Sequence, residues 1–226
     1  MESLYRKITL TLAILAIIIC GTYASQQKKW KKKYSEVVQT LSAGKSVPDM
    51  TLPSVRDYLS TELTNNVFHD LQTSYLAHTD YDSKKNHRFT FESYNTYLTS
   101  DVTVKYGWEN GKPILTCHGG FSEKFQIKIK LPIKFYIEKK KVKKPKSKKG
   151  NYINWSAWFI NQPKENDIEI YNLPNCVSRN HEANYKFIIA KSLGSEGYKN
   201  IVLRAIMDEI YNQLESKKIS KGYKRI

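Results

Sequence analysis

The chain has 226 residues, with 37 basic and 21 acidic side chains and a formal net charge of +16. Hydrophobic residues make up 40 % and aromatic residues 12 %, which excludes a disordered chain, and ten Gly with seven Pro exclude a collagen-like sequence. Three Cys are too few for a disulfide scaffold, and the length favours one domain with an appendage.

The positive charge is concentrated in three lysine-rich segments. Residues 28–33, 139–149 and 217–226 carry 18 of the 37 basic residues and no acidic residue, so the rest of the chain is nearly neutral. Lysine outnumbers arginine by 31 to 6, and lysine suits non-specific attraction better than base-specific readout. The pattern indicates contact with an anionic surface. The alternative is that these lysines are only solvated loop residues.

An apolar segment near the N-terminus is long enough to cross a bilayer. No charged residue occurs between Lys7 and Lys28, and twenty helical residues extend about 30 Å, the thickness of a bilayer core. We predict an N-terminal tail over residues 1–7 and a retained transmembrane anchor over residues 8–27. A signal peptide cleaved after Ala24 and a buried core helix are the alternatives.

The sequence does not fix the side of the membrane on which the domain lies. Two basic residues precede the apolar segment and five follow it closely, which slightly favours a cytoplasmic domain, whereas the short tail is also compatible with export. Tyr23 and Trp30 fit an interfacial aromatic belt. Cys117 and Cys176 do not decide the question, because their spacing allows two thiols or one disulfide.

The next part of the chain is predicted to be helical with one interruption. Residues 28–53 form a basic juxtamembrane helix and linker, in which residues 34–41 continue the membrane helix. Gly and Pro break the helix over residues 44–53. Apolar residues then recur at helical spacing, which predicts a helix over residues 54–76.

From residue 88 to residue 172 the apolar period changes to two, which predicts an antiparallel sheet. The clearest strand covers residues 125–137, where seven apolar residues alternate with polar ones. Because Pro132 lacks a backbone N–H, we expect this strand to lie at an edge of the sheet or to contain a bulge. Lysines on its polar face would discourage pairing between edges; they are Lys128, Lys130 and Lys134.

Two hairpins are predicted in this region. Asn110-Gly111 lies between alternating segments and is a strong turn signal. Residues 151–160 are the expected partner of the clearest strand, which makes residues 139–150 a lysine-rich hairpin tip. Trp158 and Tyr152 share one face of that partner strand, as a stacking surface for bases or as a face covered by a helix.

The C-terminal part returns to helical periodicity. Apolar residues predict a helix over residues 198–216, followed by a basic tail over residues 217–226. Residues 182–193 are compatible with helix or strand. The expected fold is therefore α+β: an N-terminal transmembrane helix, then a single domain over residues 54–216 with a mainly antiparallel sheet packed by two or three helices.

No chemical site stands out in the sequence. Cys117 and His118 are adjacent rather than spaced as metal ligands, and a zinc site needs about four convergent ligands. A nucleophilic pair such as Cys117 with His181 has no supporting motif. We therefore predict no catalytic residue, no cofactor and no metal, and the chain is expected not to be an enzyme.

The predicted function is that of a single-pass membrane-anchored, non-catalytic binding or scaffold protein that contacts anionic phospholipid. A membrane-tethered protein that binds nucleic acid non-specifically, and an exported envelope factor or enzyme released by signal-peptide cleavage, are the alternatives. A protein partner is not indicated. The predicted contact residues are Lys28, Lys29, Lys31, Lys32, Lys33, Lys139, Lys140, Lys141, Lys143, Lys144, Lys146, Lys148 and Lys149.

Overall fold

A long N-terminal helix and two β-sheets dominate the fold. The computed structural model describes residues 2–42, 44–52, 59–83, 86–113, 119–142, 150–175, 177, 179–219 and 223–225. The helices are α1 (Glu2–Gln39), α2 (Arg179–Leu193) and α3 (Glu196–Ser216). The strands are β1 (Lys45–Ser46), β2 (Met50–Leu52), β3 (Leu59–His69), β4 (Tyr75–Ser83), β5 (Asn86–Ser93), β6 (Tyr97–Tyr106), β7 (Trp108–Glu109), β8 (Lys112–Pro113), β9 (Ser122–Lys130), β10 (Ile133–Val142), β11 (Gly150–Phe159), β12 (Ile168–Tyr171) and β13 (Tyr223–Arg225).

The strands form two main sheets. The first sheet has the order β1-β3-β6-β9-β12, with β2 also paired to β3, and the second has the order β13-β11-β10-β5-β4. Every pairing among the described strands is antiparallel except that of β11 with β13. The predicted α+β class, with a long apolar helix, an antiparallel sheet domain and two further helices, is confirmed.

The prediction that residues 125–137 form one strand, at an edge of the sheet or with a bulge, was wrong. The segment divides into the end of β9 and the start of β10, and each of these strands lies between two neighbours in a different sheet. Apolar residues from Phe125 to Ile137 remain buried at every second position across the division. Pro132 lies at the crossing between the sheets, where its missing N–H interrupts neither ladder.

Two of the three lysines on the polar face of this segment contact side chains of neighbouring strands. Lys134 forms an ion pair with Glu92 at 2.7 Å across β10 and β5. The hydrogen bond from Lys134 is the main cause that holds the pKa of the Glu92 carboxyl below its usual range. Lys128 lies over the ring of Tyr97 at 4.5 Å from its centroid, and Lys130 is exposed at the end of β9.

The predicted helix over residues 54–76 was also wrong. Residues 53–58 lie outside the described part, and the rest forms β3, a 3-10 turn over Leu71–Thr73 and the start of β4. A bulge between Thr64 and Val67 shifts the register of β3, and Asn65 there has a φ of 51°. Because a bulge reverses which residues face the core, the strand loses the simple alternation that would have identified it.

Other local predictions are confirmed. The strand over residues 151–160 corresponds to β11, which pairs with β10 along its whole length. Asn110 and Gly111 form the turn between β7 and β8, both with positive φ. The helix over residues 198–216 corresponds to α3, and residues 182–193 lie in α2.

The segment expected to be a linker instead contributes β1 and β2 to the first sheet.

The two halves of α1 have different environments. Residues 8–22 are exposed along the whole apolar segment, and the helix is long and apolar enough to cross a membrane. Near its C-terminal end the same helix enters the core through Tyr34, Val37 and Val38, which are fully buried. Leu41, just after the helix, is buried beside them at 2 % exposure. The prediction that residues 34–41 continue the first helix is confirmed as far as Gln39.

The centre of the second sheet is expected to tolerate truncation poorly. Phe135 is fully buried and stacks on Phe91 at a centroid distance of 5.3 Å. Phe135→Ala is expected to lower the free energy of unfolding by about 3–5 kcal/mol, because it leaves a cavity between two packed strands. Chemical denaturation measures this loss. Phe121→Ala is the matched control, since Phe121 is 51 % exposed, and an equal loss in the control would contradict this assignment.

Candidate functional site: a basic pole beside the apolar helix

The C-terminal half of α1 lies against the second sheet through aromatic contacts. Tyr34 stacks on Phe89 of β5 at a centroid distance of 4.6 Å. One turn earlier in the helix, Trp30 receives the ammonium of Lys139 of β10 at 4.1 Å from its ring centroid. Lys33 lies over the same ring at 5.6 Å. Trp30 therefore joins the first lysine-rich segment to the second.

The same contacts establish which end of the sheet faces the apolar segment. Tyr23, near the end of the apolar segment, lies 6.2 Å from the ring of His87, and His87 pairs directly with Lys139. Moving along α1 from Tyr34 towards Tyr23 therefore corresponds to moving along β10 from residue 137 towards residue 142. The end of β10 at Val142 and the start of β11 at Gly150 thus lie on the side of the sheet from which the apolar segment departs.

The third basic segment joins the same end of the sheet. β13 pairs in parallel with β11 at the start of that strand, where Asn151 faces Tyr223 and Ile153 faces Arg225. We call residues 28–33 of α1, residues 139–142 of β10 and residues 223–225 of β13 the basic pole. Segments that are 80 or more residues apart in the sequence thus meet at one place.

The predicted contact lysines fall into groups that differ in exposure. Lys28, Lys29, Lys31 and Lys32 are exposed on α1, and Lys140 is exposed on β10. Lys33 and Lys139 are half-buried against Trp30, and Lys141 lies on β10. The remaining predicted lysines lie outside the described residues; they are Lys143, Lys144, Lys146, Lys148 and Lys149.

Acidic residues close to the basic pole are paired with basic ones. Glu138 precedes Lys139 on β10 and lies 3.4 Å from the guanidinium of Arg88. Glu36 on α1 lies 3.8 Å from the ammonium of Lys32 in an i, i+4 pair that is exposed to solvent, and such pairs contribute little to stability. The exposed lysines on the N-terminal side of Lys32 therefore give the pole a positive local charge.

Trp30, expected from the sequence at a membrane interface, instead contacts Lys139 of β10. The missing signal is a tertiary one, because Lys139 is distant from Trp30 in the sequence. A tryptophan within a run of five lysines did mark a position where a cation can lie over an aromatic ring. The sequence could not identify which lysine would do so.

The described residues contain no group of three or more His, Cys, Asp or Glu side chains that could hold a metal ion. Cys117 and His118, considered above as ligands or nucleophiles, lie outside those residues, and so does Cys176. His181 lies in the first turn of α2. Trp158, considered as a stacking residue, contacts the ring of Tyr136 edge-on at 6.1 Å.

No protein-family model matches the chain, and no curated protein matches it. Among solved structures, the chain is similar to Takeout 1 of Epiphyas postvittana, with a TM-score of 0.43 and 10 % sequence identity. The likeness covers 85 % of this chain and 88 % of that chain. At this distance it supports no conclusion about what the chain binds or does.

Proposed function

We propose that the chain is a membrane-anchored, non-catalytic binding protein whose basic pole rests on anionic phospholipid head groups. The observation that supports the proposal is the meeting of three basic segments on the side of the sheet from which the apolar segment leaves. A retained anchor over residues 8–27 would hold this pole close to one bilayer surface. The lysines would then fix the tilt of the domain rather than recruit it.

The physical basis of the contact is electrostatic. A Lys or Arg near an anionic leaflet contributes about 1 kcal/mol, and the attraction falls off within a Debye length of about 8–10 Å. From Lys139 to Val142, β10 advances about 10 Å towards the apolar side at a strand rise of about 3.4 Å per residue. With the anchor in a bilayer, lysines at this end of the strand would be the ones on β10 that come nearest to the leaflet.

The proposal is tested with the full chain reconstituted into vesicles. Lysine acetylation, quantified by mass spectrometry, is expected to be slower in the basic pole when the vesicles contain phosphatidylserine than when they are neutral. The protection should disappear at high salt, because the attraction is screened. Exposed lysines outside the pole are the internal control and should react equally in both vesicles; they are Lys112, Lys124, Lys130 and Lys164. Equal acetylation of the pole in both vesicles would refute the proposal.

A further inference from the structure

One edge of the second sheet is only partly covered. β11 forms that edge, and β13 pairs with its first residues as far as Ile153. From Asn154 to Phe159, no described strand pairs with β11 on the side away from β10. An added strand in line with β13 would therefore continue a pairing that the chain itself has begun.

The hydrogen-bond phase of β11 determines which backbone groups face this edge. Ile160 donates its amide hydrogen to the carbonyl of Pro132 at 2.8 Å, and the register of β10 with β11 puts these residues opposite each other. Because hydrogen-bonded pairs alternate in an antiparallel ladder, even-numbered residues of β11 bond to β10. The N–H and C=O groups of Ala157 and Phe159 consequently point to the open edge.

A groove of about 880 Å³ runs along this edge. On one side it is lined by Trp155, Ser156 and Ala157. Side chains at consecutive strand positions point to opposite faces, so a groove lined by all three follows the edge of the strand and not one face. The other side is formed by α3, where Leu203 and Met207 supply buried apolar surface.

The open part of the edge lacks the usual protection against further pairing. Residues 154–159 contain no charged residue and no proline, and the pairing of β11 with β10 has no register shift. The opposite edge of the same sheet differs, since β4 has two register shifts and carries Asp80. Bulges and charges are two of the devices that keep an edge from accepting another strand. The absence of bulges and charges from residues 154–159 indicates that this edge can pair with another strand.

The groove also offers one cation. Arg204 lines the groove on α3, is exposed, and forms no ion pair with a described residue. We propose that the groove binds an extended peptide that adds as a strand to β11 and places an acidic side chain at Arg204. Backbone hydrogen bonds to Ala157 and Phe159 would provide affinity, and alternate side chains would contact Leu203 and Met207.

The first test removes a backbone donor without disturbing the sheet. The probe is the capped synthetic hexapeptide Val-Thr-Val-Asp-Val-Thr, added to the full chain in detergent. It is expected to slow hydrogen exchange at the amides of Ala157 and Phe159. Ala157→Pro removes an edge N–H that β10 does not use, so it should keep the thermal transition and weaken peptide binding at least about tenfold. Unchanged peptide affinity in a folded Ala157→Pro variant would overturn the proposal.

The second test changes only charge and so does not depend on the proline variant. Arg204→Glu is expected to reverse the charge preference of the groove. The peptide with Lys in place of Asp should then bind more tightly than the original peptide. A peptide N-methylated at alternate amides should bind neither protein, because it cannot complete the strand pairing. Oleate is the comparison ligand. Binding of oleate without binding of any peptide would overturn the proposal in favour of an apolar-chain site.

Discussion

Replacing Lys28, Lys29 and Lys31 together with glutamine is expected to weaken the binding of the fragment 26–226 to phosphatidylserine-rich vesicles about 100-fold. Each lysine near an anionic leaflet contributes about 1 kcal/mol, and three such losses correspond to about two factors of ten in affinity. All three lysines are exposed on α1, so the substitutions remove charge without removing a packed side chain. Vesicle sedimentation over a salt series measures the change.

The choice of fragment follows from the packing of α1. Trp30 contacts Lys139, and the buried residues of the helix begin at Tyr34. A fragment that starts at residue 26 therefore retains the contacts from Trp30 onwards while it loses most of the apolar segment. Its thermal transition should match that of the full chain in detergent before binding is compared.

The matched control replaces Lys112, Lys124 and Lys130 with glutamine. These lysines are also exposed, but they lie on β8 and β9, away from the basic pole. The control variant has the same net charge as the test variant and should bind nearly as the unmodified fragment does. An equal loss of affinity in both variants would mean that net charge, and not the basic pole, determines binding.

Much of the architecture was predictable because the sequence patterns that indicate it involve residues close together in the chain. The alternation in residues 125–137, the stripe of apolar residues on α3 and the Asn110-Gly111 turn each depend on near neighbours in the chain. The two wrong predictions, for residues 54–76 and for Pro132, share a physical cause, which is that neither feature follows a simple local pattern. The bulge at Asn65 breaks the alternation of β3. Pro132 was assigned to an edge or a bulge because a crossing between two sheets has no local sequence pattern.

The candidate site illustrates the same limit. Each lysine-rich segment is visible in the sequence, whereas their meeting depends on two long-range pairings. One is the contact of α1 with β10 through Trp30 and Lys139, and the other is the parallel pairing of β11 with β13. A parallel pair between distant segments follows from the whole fold and from no local pattern. The open edge of β11 could not be anticipated for the same reason.

Tyr34 is a position where two replacements are expected to have different effects on the free energy of unfolding. Its side chain is fully buried and stacked on Phe89. Tyr34→Ala removes this contact and leaves a cavity under α1, so it is expected to lower the free energy of unfolding by about 3–5 kcal/mol. Denaturant titration of the fragment 26–226 measures the change.

Tyr34→Phe is expected to leave stability unchanged or to raise it by about 1–3 kcal/mol, because it removes a buried polar group without a partner. The hydroxyl of Tyr34 has no hydrogen-bond partner among the described residues, and burial raises the pKa of Tyr34 above its ordinary value. The ordinary pKa of a tyrosine hydroxyl is about 10, and below that pH the hydroxyl is neutral in both the folded and the unfolded chain. Above that pH, the hydroxyl of the unfolded chain ionises first. The original chain should therefore lose stability as the pH rises above about 10, and Tyr34→Phe should lose less. A large loss in Tyr34→Phe at neutral pH would instead show that the hydroxyl is bonded, and that α1 is held to the sheet by a polar contact as well as by packing.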